Sequence, residues 1–148
     1  VLKVVAAPLM ATVGGAGGPL LGTAFLRAAR SSDVSAWGPQ ELVRALEEAT
    51  SGLEARGHAT SGDKTMVDAW RPAAVAAKEA AEIGEGEIGV LATAAEPLQA
   101  RRGRASFLAE RSCGHRDPGA QSSALILQAA ADAARDRSLD PILVVEQA

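Results

Sequence analysis

Apolar residues recur at helical spacing along most of the chain, and glycine-rich or Asp-Pro turns separate several of these runs. In Glu41–Arg56, apolar residues three or four positions apart form one stripe, and Gly57 then supplies an ordinary helix end. Only 3% of the residues are aromatic, and much of the 47% hydrophobic fraction is alanine, which favours closely packed helices over a sheet. The sequence therefore predicts an all-α bundle. The stripe consists of Leu42, Ala45, Leu46, Ala49 and Leu53.

The runs of this kind predict about six helices within one domain that spans residues 1–148. Asp63 is expected to cap the fourth helix, in which Pro72 marks a kink or a late first turn. The polar residues of the last run fall in one narrow sector, so that helix is expected to be buried on most sides. The runs are Val1–Val13, Pro19–Ala28, Glu41–Arg56, a run from Met66 that fades at Ile83, Val90–Arg102 and Asp117–Arg135.

Four of the five residues in Gly14–Gly18 are glycine, and they separate the first helical run from the second. Glycine lets the backbone take positive φ and approach a ligand closely, and Pro19 then opens the next helix. A helix start of this kind can bind an anion through its free N–H groups and its dipole. It is not a Walker A loop, because no Gly-Lys-Ser/Thr follows. A flexible tight turn between two antiparallel helices is the alternative.

The stretch Gly103–Ala120 is rich in glycine, charge and turn formers, and it separates the last two helical runs. Asp117 is a suitable N-cap and Pro118 a suitable first helical residue, so a helix with free N–H groups is expected to begin here. Four arginines add mobile positive charge beside that helix start. An ordinary connection with solvated arginines is the alternative. The arginines are Arg101, Arg102, Arg104 and Arg111.

Three turns of the chain are spaced so that they can meet. If consecutive helices are antiparallel, loops separated by two helices lie at the same end of a bundle. Gly14–Gly18, Gly57–Lys64 and the turn at Asp117 are separated in this way. They are therefore predicted to gather at one rim, where amide-bearing turns and nearby arginines could hold a polyphosphate or a nucleotide.

The charge, hydropathy and cysteine content argue against several other classes of protein. The net charge is −3 with acidic and basic residues mixed, so no basic face for nucleic acid is expected. No apolar run approaches the ~20 residues of a membrane-spanning helix, so no membrane association is expected either. Cys113 is the single cysteine, which rules out an internal disulfide and fits a cytoplasmic location.

Four motifs follow one another along the chain. They are VGGAGGPL from Val13 with GTAF from Gly22, GDKTMVD from Gly62, GRASFL from Gly103, and ERS from Glu110 with GHRDPGA from Gly114. Together they closely resemble the L subunit of dihydroxyacetone kinase and the matching domain of single-chain dihydroxyacetone kinases, over most of Leu2–Ala134. The resemblance implies an up-and-down barrel of eight antiparallel helices that binds ADP or ATP at one rim, and about six of these helices are expected here.

The resemblance also implies a set of nucleotide-contacting residues in this sequence. Ala16 and Gly17 would approach the phosphates through their backbone, although Gly17 stands where the family usually has serine, which removes one hydroxyl donor. A methionine thioether would be a soft contact for adenine. The remaining implied residues are Gly57, Thr65, Met66, Arg104, Asp117, Pro118 and Gly119.

Other interpretations stay open for several residues near these motifs. Met66 could simply fill the core, and Lys64 with Asp68 could form an exposed ion pair of little energetic worth. His58 and His115 are interpreted as loop residues, because in the family the histidine that binds the ketone covalently belongs to the partner K subunit.

The resemblance implies an enzyme component that holds ADP or ATP for phosphoryl transfer to dihydroxyacetone bound on a K subunit. In phosphotransferase-system members, ADP stays bound and is rephosphorylated by an M subunit that carries a phosphohistidine. The alternatives are a non-catalytic regulatory or binding homologue on the same scaffold, and a component of a kinase for another small ketose.

The family binds Mg²⁺ through a cluster of aspartates in its first two helices, before the position that matches Val1. No such cluster occurs in this sequence, and those two helices are expected to be missing with it. Phosphoryl transfer relies on metal ions to neutralise the phosphate charge. This segment by itself is therefore expected to be inactive, with no catalytic residue and no metal ligand of its own.

Overall fold

The computed structural model describes residues 1–30, 39–83 and 101–135, and it is helical throughout these ranges apart from the connecting turns. Within them the all-α prediction is confirmed. The predicted helix Val90–Arg102 falls outside the described residues except for Arg101 and Arg102, which are not helical. The elements are α1 (Leu2–Thr12), α2 (Gly17–Arg30), α3 (Pro39–Gly57), α4 (Val67–Ile83), the 3₁₀ segment η1 (Arg104–Ser112) and α5 (Pro118–Arg135).

Each helix packs mainly against the next one in the chain, in the order α1 on α2, α2 on α3, α3 on α4 and α4 on α5. This sequential packing is what an up-and-down bundle requires. None of the helices in the described ranges is long and apolar enough to cross a membrane.

The core between α2, α3 and α4 is built largely from alanine and a few larger side chains. Leu53 lies near its centre with 1% of its surface exposed, and Trp70 from α4 is 4% exposed. Small side chains let the helix backbones approach closely, which explains how so few aromatic residues can fill the core. The buried alanines of this cluster are Ala24, Ala28, Ala45, Ala49, Ala59 and Ala73.

The buried face of α3 matches the stripe that the sequence predicted except at Leu42. Leu42 is 39% exposed, whereas Val43 beside it is 7% exposed. Because α3 packs against both α2 and α4, its buried face is wider than one stripe and is turned toward Val43. Ala45, Ala49 and Leu53 are buried as expected.

The prediction that α5 is buried on most sides is wrong for the described residues. Leu125 is 61% exposed, while Ala120, Ala124 and Leu127 are buried. The main contact of α5 among the described helices is with α4, so only one of its faces is covered there. A wide apolar surface on a helix is therefore not enough to predict what covers it.

The prolines and the first turns of the helices also differ in detail from the sequence pattern. Helix α2 begins at Gly17, so Pro19 is its third residue rather than its first. The first turn tolerates proline because its N–H groups have no acceptor inside the helix. Pro72 lies inside α4, as the pattern indicated.

Candidate functional site

A cavity of about 650 Å³ opens where the turns before α2, α4 and α5 meet. The end of α3 and the start of η1 complete its wall. All nine residues that the sequence analysis proposed as nucleotide contacts line this cavity, although their role in binding stays a prediction. They are Ala16, Gly17, Gly57, Thr65, Met66, Arg104, Asp117, Pro118 and Gly119.

One side of the cavity is apolar. Leu20, Leu53 and Met66 contribute to it, and Met66 is 8% exposed while it also belongs to the central core. Met66 therefore both belongs to the core and lines the cavity, and its contact with adenine stays a prediction. Leu20 and Leu53 were missed as lining residues, because their helical spacing indicates only that they are buried.

Basic residues outnumber acidic residues in the cavity wall. Arg56, Lys64, Arg102 and Arg104 line it, against the single carboxylate of Asp117. Such an excess of positive charge in a concave site attracts an anion. Sequence analysis missed the first two of these residues, although the position of Arg56 in the last turn before a predicted rim loop was a usable signal.

Two of the four arginines in the stretch before α5 do not line the cavity. Arg102 and Arg104 do so, whereas Arg101 and Arg111 are exposed elsewhere on the surface. The η1 segment begins at Arg104 and is kinked at Ala109, before Arg111, and this kink was not predicted. The positive charge at the cavity therefore comes partly from other elements than the arginine-rich stretch itself.

Helix α4 is capped by Thr65 and Asp68 rather than by Asp63. The Thr65 hydroxyl accepts the N–H of Val67 at 3.2 Å, and the Asp68 carboxylate accepts the N–H of Thr65 at 2.7 Å. This reciprocal arrangement resembles a capping box, with Thr65 and Asp68 three residues apart at the start of the helix. It fixes Thr65 and the following methionine at the mouth of the cavity.

Asp63 instead organises the turn that precedes this cap. Its carboxylate accepts the N–H of Thr60 at 3.0 Å and a hydrogen bond from Nε of Arg102 at 3.4 Å. The Thr60 N–H is the largest influence that lowers the pKa of Asp63 below its ordinary value of 3.8, and Arg102 adds to it against the opposing effect of burial. Asp63 is therefore ionised at neutral pH although it is only 6% exposed.

Lys64 is not part of an exposed ion pair. It is 2% exposed, its backbone has a left-handed φ of 57°, and its Nζ donates a hydrogen bond to the carbonyl oxygen of Ser112. The Asp68 carboxylate is occupied by the cap and by the N–H of Gly62 at 2.6 Å. The exposed-pair interpretation failed because the acceptor for Lys64 lies 48 residues further along the chain.

Asp117 caps α5 as predicted, and it fills part of the helix start that was expected to be open. Its carboxylate accepts the N–H of Ala120 at 2.7 Å. The space around Gly119 is narrow, since a Cβ there would lie 3.0 Å from both the Asp117 Oδ2 and the Met66 Cγ. The turns before α4 and α5 are therefore in direct contact, and glycine is the residue that fits between them.

Burial raises the pKa of the Asp117 carboxyl above its ordinary value of 3.8. The N–H groups of Ala120 and Gly119 and the charge of Lys64 oppose this rise, and the charge of Asp68 adds to it. Because the pKa of Asp117 is raised in the folded state, this group stabilises the fold fully at pH values below the pKa that it has in the unfolded chain. That contribution is lost as the pH rises through the folded-state pKa.

The substitution Asp117→Asn is expected to keep the cap but remove this titration, because Asn accepts the same N–H. The variant should exceed the wild type in stability by the largest margin at neutral pH. This margin should shrink as the pH falls toward ~4. Urea denaturation of both proteins across this pH range measures the difference. A difference that does not depend on pH would contradict the assignment.

The two histidines lie in turns, and neither lines the cavity. His58 follows α3 with a φ of 47°, and His115 is exposed before α5. Within residues 1–30, 39–83 and 101–135, no group of three or more His, Cys, Asp or Glu residues could hold a metal ion. The resemblance places the Mg²⁺ ligands before the position that matches Val1, so these described residues do not test that prediction.

Comparison with known proteins identifies the family of the chain. The profile described as "DAK2 domain" matches residues 1–132. The ADP-binding subunit of PEP-dependent dihydroxyacetone kinase 1 from Listeria innocua is 40% identical over 129 residues, covering 87% of this chain and 65% of that protein.

Two further relatives carry similar names. The ADP-binding subunit of the PEP-dependent dihydroxyacetone kinase of Escherichia coli is 38% identical, covering 92% of this chain and 70% of its own length. The ADP-binding subunit of the PTS-dependent enzyme of Lactococcus lactis is 41% identical, covering 86% and 64%. The chain spans about two thirds of the length of these relatives. On this similarity and the family match, the chain belongs to the DAK2 domain family.

Proposed function

We propose that residues 1–148 form a nucleotide-binding domain of a dihydroxyacetone kinase, which holds ADP or ATP for phosphoryl transfer. The observation that carries this proposal is the convergence of nine separately implied residues on one cavity whose wall is rich in positive charge. The names of the relatives support it, since each of the three is described as an ADP-binding subunit.

One part of the cavity wall is suited to the phosphates of a nucleotide and another part to its base. The first turn of α2 carries N–H groups without acceptors inside the helix, and Ala16 and Gly17 bring this backbone to the cavity wall. Arg104 can add a charge-assisted hydrogen bond to a phosphate oxygen. The thioether of Met66 and the side chain of Leu53 suit the apolar faces of an adenine ring.

We infer that the acceptor ketone is dihydroxyacetone held on a separate K subunit, and that the chain presents the nucleotide to it. Three relatives are described as PEP-dependent or PTS-dependent. We infer that in this chain bound ADP is rephosphorylated in place by an M subunit carrying a phosphohistidine. A kinase for another small ketose is the second candidate. An L-erythrulose 1-kinase of Mycolicibacterium smegmatis is 38% identical over 125 residues, but the three relatives above are all named for dihydroxyacetone, so this alternative is not favoured.

Calorimetric titration of the purified chain with ADP tests the proposal. Arg104→Met should weaken ADP binding by at least about tenfold, because a hydrogen bond to a charged group contributes roughly 1.5–3 kcal/mol. Arg30→Met is the matched control, since Arg30 is exposed at the end of α2 and does not line the cavity. Absence of ADP binding, or equal affinities in the two variants, would argue against the proposal.

The substitution Gly17→Ser is expected to tighten ADP binding, by about tenfold if the hydroxyl contacts a phosphate oxygen. A Cβ at this position would lie 3.5 Å from Val13 Cγ1 and 3.9 Å from Met66 Cε, which is ordinary van der Waals contact. Gly17→Ala is the matched variant, because it adds the same Cβ without the hydroxyl. A similar gain in both variants would show that the hydroxyl is not responsible.

A further inference from the structure

Two adjacent residues of opposite charge, Asp63 and Lys64, are buried in the turn between α3 and α4. They are 6% and 2% exposed, respectively. A buried charge is costly unless it is paired or hydrogen-bonded, so the groups that these two residues contact are informative. Both residues contact the segment of residues 101–112. Asp63 contacts its beginning and Lys64 its end.

Asp63 contacts the beginning of that segment through both its backbone and its side chain. Its carbonyl oxygen accepts the N–H of Arg101 at 2.9 Å, and its carboxylate accepts a hydrogen bond from Nε of Arg102 at 3.4 Å. The side chain of Arg102 is half exposed, so this ion pair is partly screened by solvent. The backbone hydrogen bond is independent of that screening.

Lys64 contacts the end of the segment. Its Nζ donates to the carbonyl oxygen of Ser112, which is the last residue of η1 and is itself 3% exposed. The charge of Lys64 also favours the ionised carboxylate of Asp117, five residues further on. Lys64 therefore acts on both the end of η1 and the cap of α5.

The segment between these two contacts has an irregular backbone. It is a 3₁₀ segment interrupted at Ala109, whose φ is 48°, and Gly103 before it has a φ of 64°. Phe107 projects from it with 84% of its surface exposed. Short 3₁₀ segments have poorer hydrogen-bond geometry than α-helices and are seldom stable alone.

We propose that Asp63 and Lys64 are positioning residues that fasten the two ends of residues 101–112, and thereby place Arg104 and the Asp117 turn at the cavity. The consequence for ADP rests on the proposed function, whereas the fastening itself does not. Neither residue needs to touch the nucleotide for this role. Their effect is to reduce the conformational freedom that binding would otherwise have to remove.

Limited trypsin digestion of the full chain without nucleotide tests the fastening directly. Asp63→Asn and Lys64→Met should each accelerate cleavage after Arg104 and Arg111 by about tenfold or more, because cleavage requires local opening of the backbone. Lys78→Met is the control, since Lys78 is an exposed lysine on α4 that only approaches Glu47 at 4.0 Å. Unchanged cleavage at both arginines in both variants would overturn the proposal.

Three further measurements separate positioning from a general loss of stability. The thermal midpoint and the cleavage after Arg56 should change little, whereas a purely structural role would alter them together with the cleavage after Arg104. Lys64→Arg, which keeps the charge, should restore most of the protection. Equal cleavage in Lys64→Arg and Lys64→Met would overturn the role assigned to the ammonium group.

ADP titration of the same variants connects the fastening with binding. Both Asp63→Asn and Lys64→Met should weaken ADP binding by about tenfold, and ADP should slow the cleavage after Arg104 in the wild type. If cleavage responds as expected but the wild type binds no ADP, the proposed function fails while the fastening stands. If ADP binds and cleavage is unaffected in both variants, the fastening fails alone.

Discussion

Gly18→Ala is expected to lower the unfolding free energy by about 3 kcal/mol, a large part of the stability of a domain of this size. A Cβ at Gly18 would press on the carbonyl oxygen of Val13 and lie 2.6 Å from the carbonyl oxygen of Leu9. Both are backbone atoms at the end of α1, so no side-chain rotation can relieve the contact. Urea denaturation should therefore show a lower midpoint with an unchanged slope.

Gly14→Ala provides the matched control for this prediction. No heavy atom lies within 4 Å of a Cβ at Gly14, and its φ is not in the left-handed region. The stability of this variant should stay within about 0.5 kcal/mol of the wild type. If the two alanine variants lost the same stability, the close approach of α1 to the start of α2 would not be what Gly18 serves.

Leu53→Ala is the second substitution with a large expected effect, about 3 kcal/mol within the range of 2–5 kcal/mol for large-to-small core changes. Leu53 is 1% exposed and lies between α2 and α4 in the central cluster. It also lines the cavity, so the variant should bind ADP more weakly in addition to being less stable. Urea denaturation measures the first effect, and calorimetric titration measures the second.

Leu125→Ala is the control for Leu53→Ala, because it removes the same atoms from a side chain that is 61% exposed on α5. Its stability should change by less than about 0.5 kcal/mol. An effect as large as that of Leu53→Ala would mean that Leu125 is covered in solution and that α5 has a further contact.

The sequence predicted most of the helices because their signals are local. Apolar spacing identified α3, and the Asp117-Pro118 pair identified the start of α5 to within one residue. Such signals act within a few positions and do not depend on the rest of the fold. The meeting of the three rim turns is not a local property, and it was predicted only by assuming that consecutive helices are antiparallel.

The errors concern partners that are distant in sequence. Lys64 was taken as potentially exposed because its acceptor on Ser112 is far along the chain. Leu125 was expected to be buried because a helical wheel reports apolarity but not the number of neighbouring helices. Asp63 was chosen as a cap by residue type, whereas Thr65 and Asp68 satisfy the helix start together.

The nine predicted nucleotide contacts came from a resemblance, and the structure places all nine around one cavity. Composition and spacing alone indicated amide-bearing turns at one rim, but they did not select Met66 or Gly57 within those turns. The basic residues Arg56 and Lys64 were missed, since their proximity to the cavity depends on how α3 ends and how the next turn folds back.

The cap made by Asp117 gives the two helix starts at the cavity opposite chemical preferences. At α5 the N–H of Ala120 is already satisfied by a carboxylate, so a ligand arriving there meets an acceptor and is best approached by hydroxyl or amino groups. At α2 the backbone amides favour negative charge. A ligand with phosphate groups at one end and a sugar at the other is therefore expected to bind in one orientation, with its phosphates toward the glycine-rich turn.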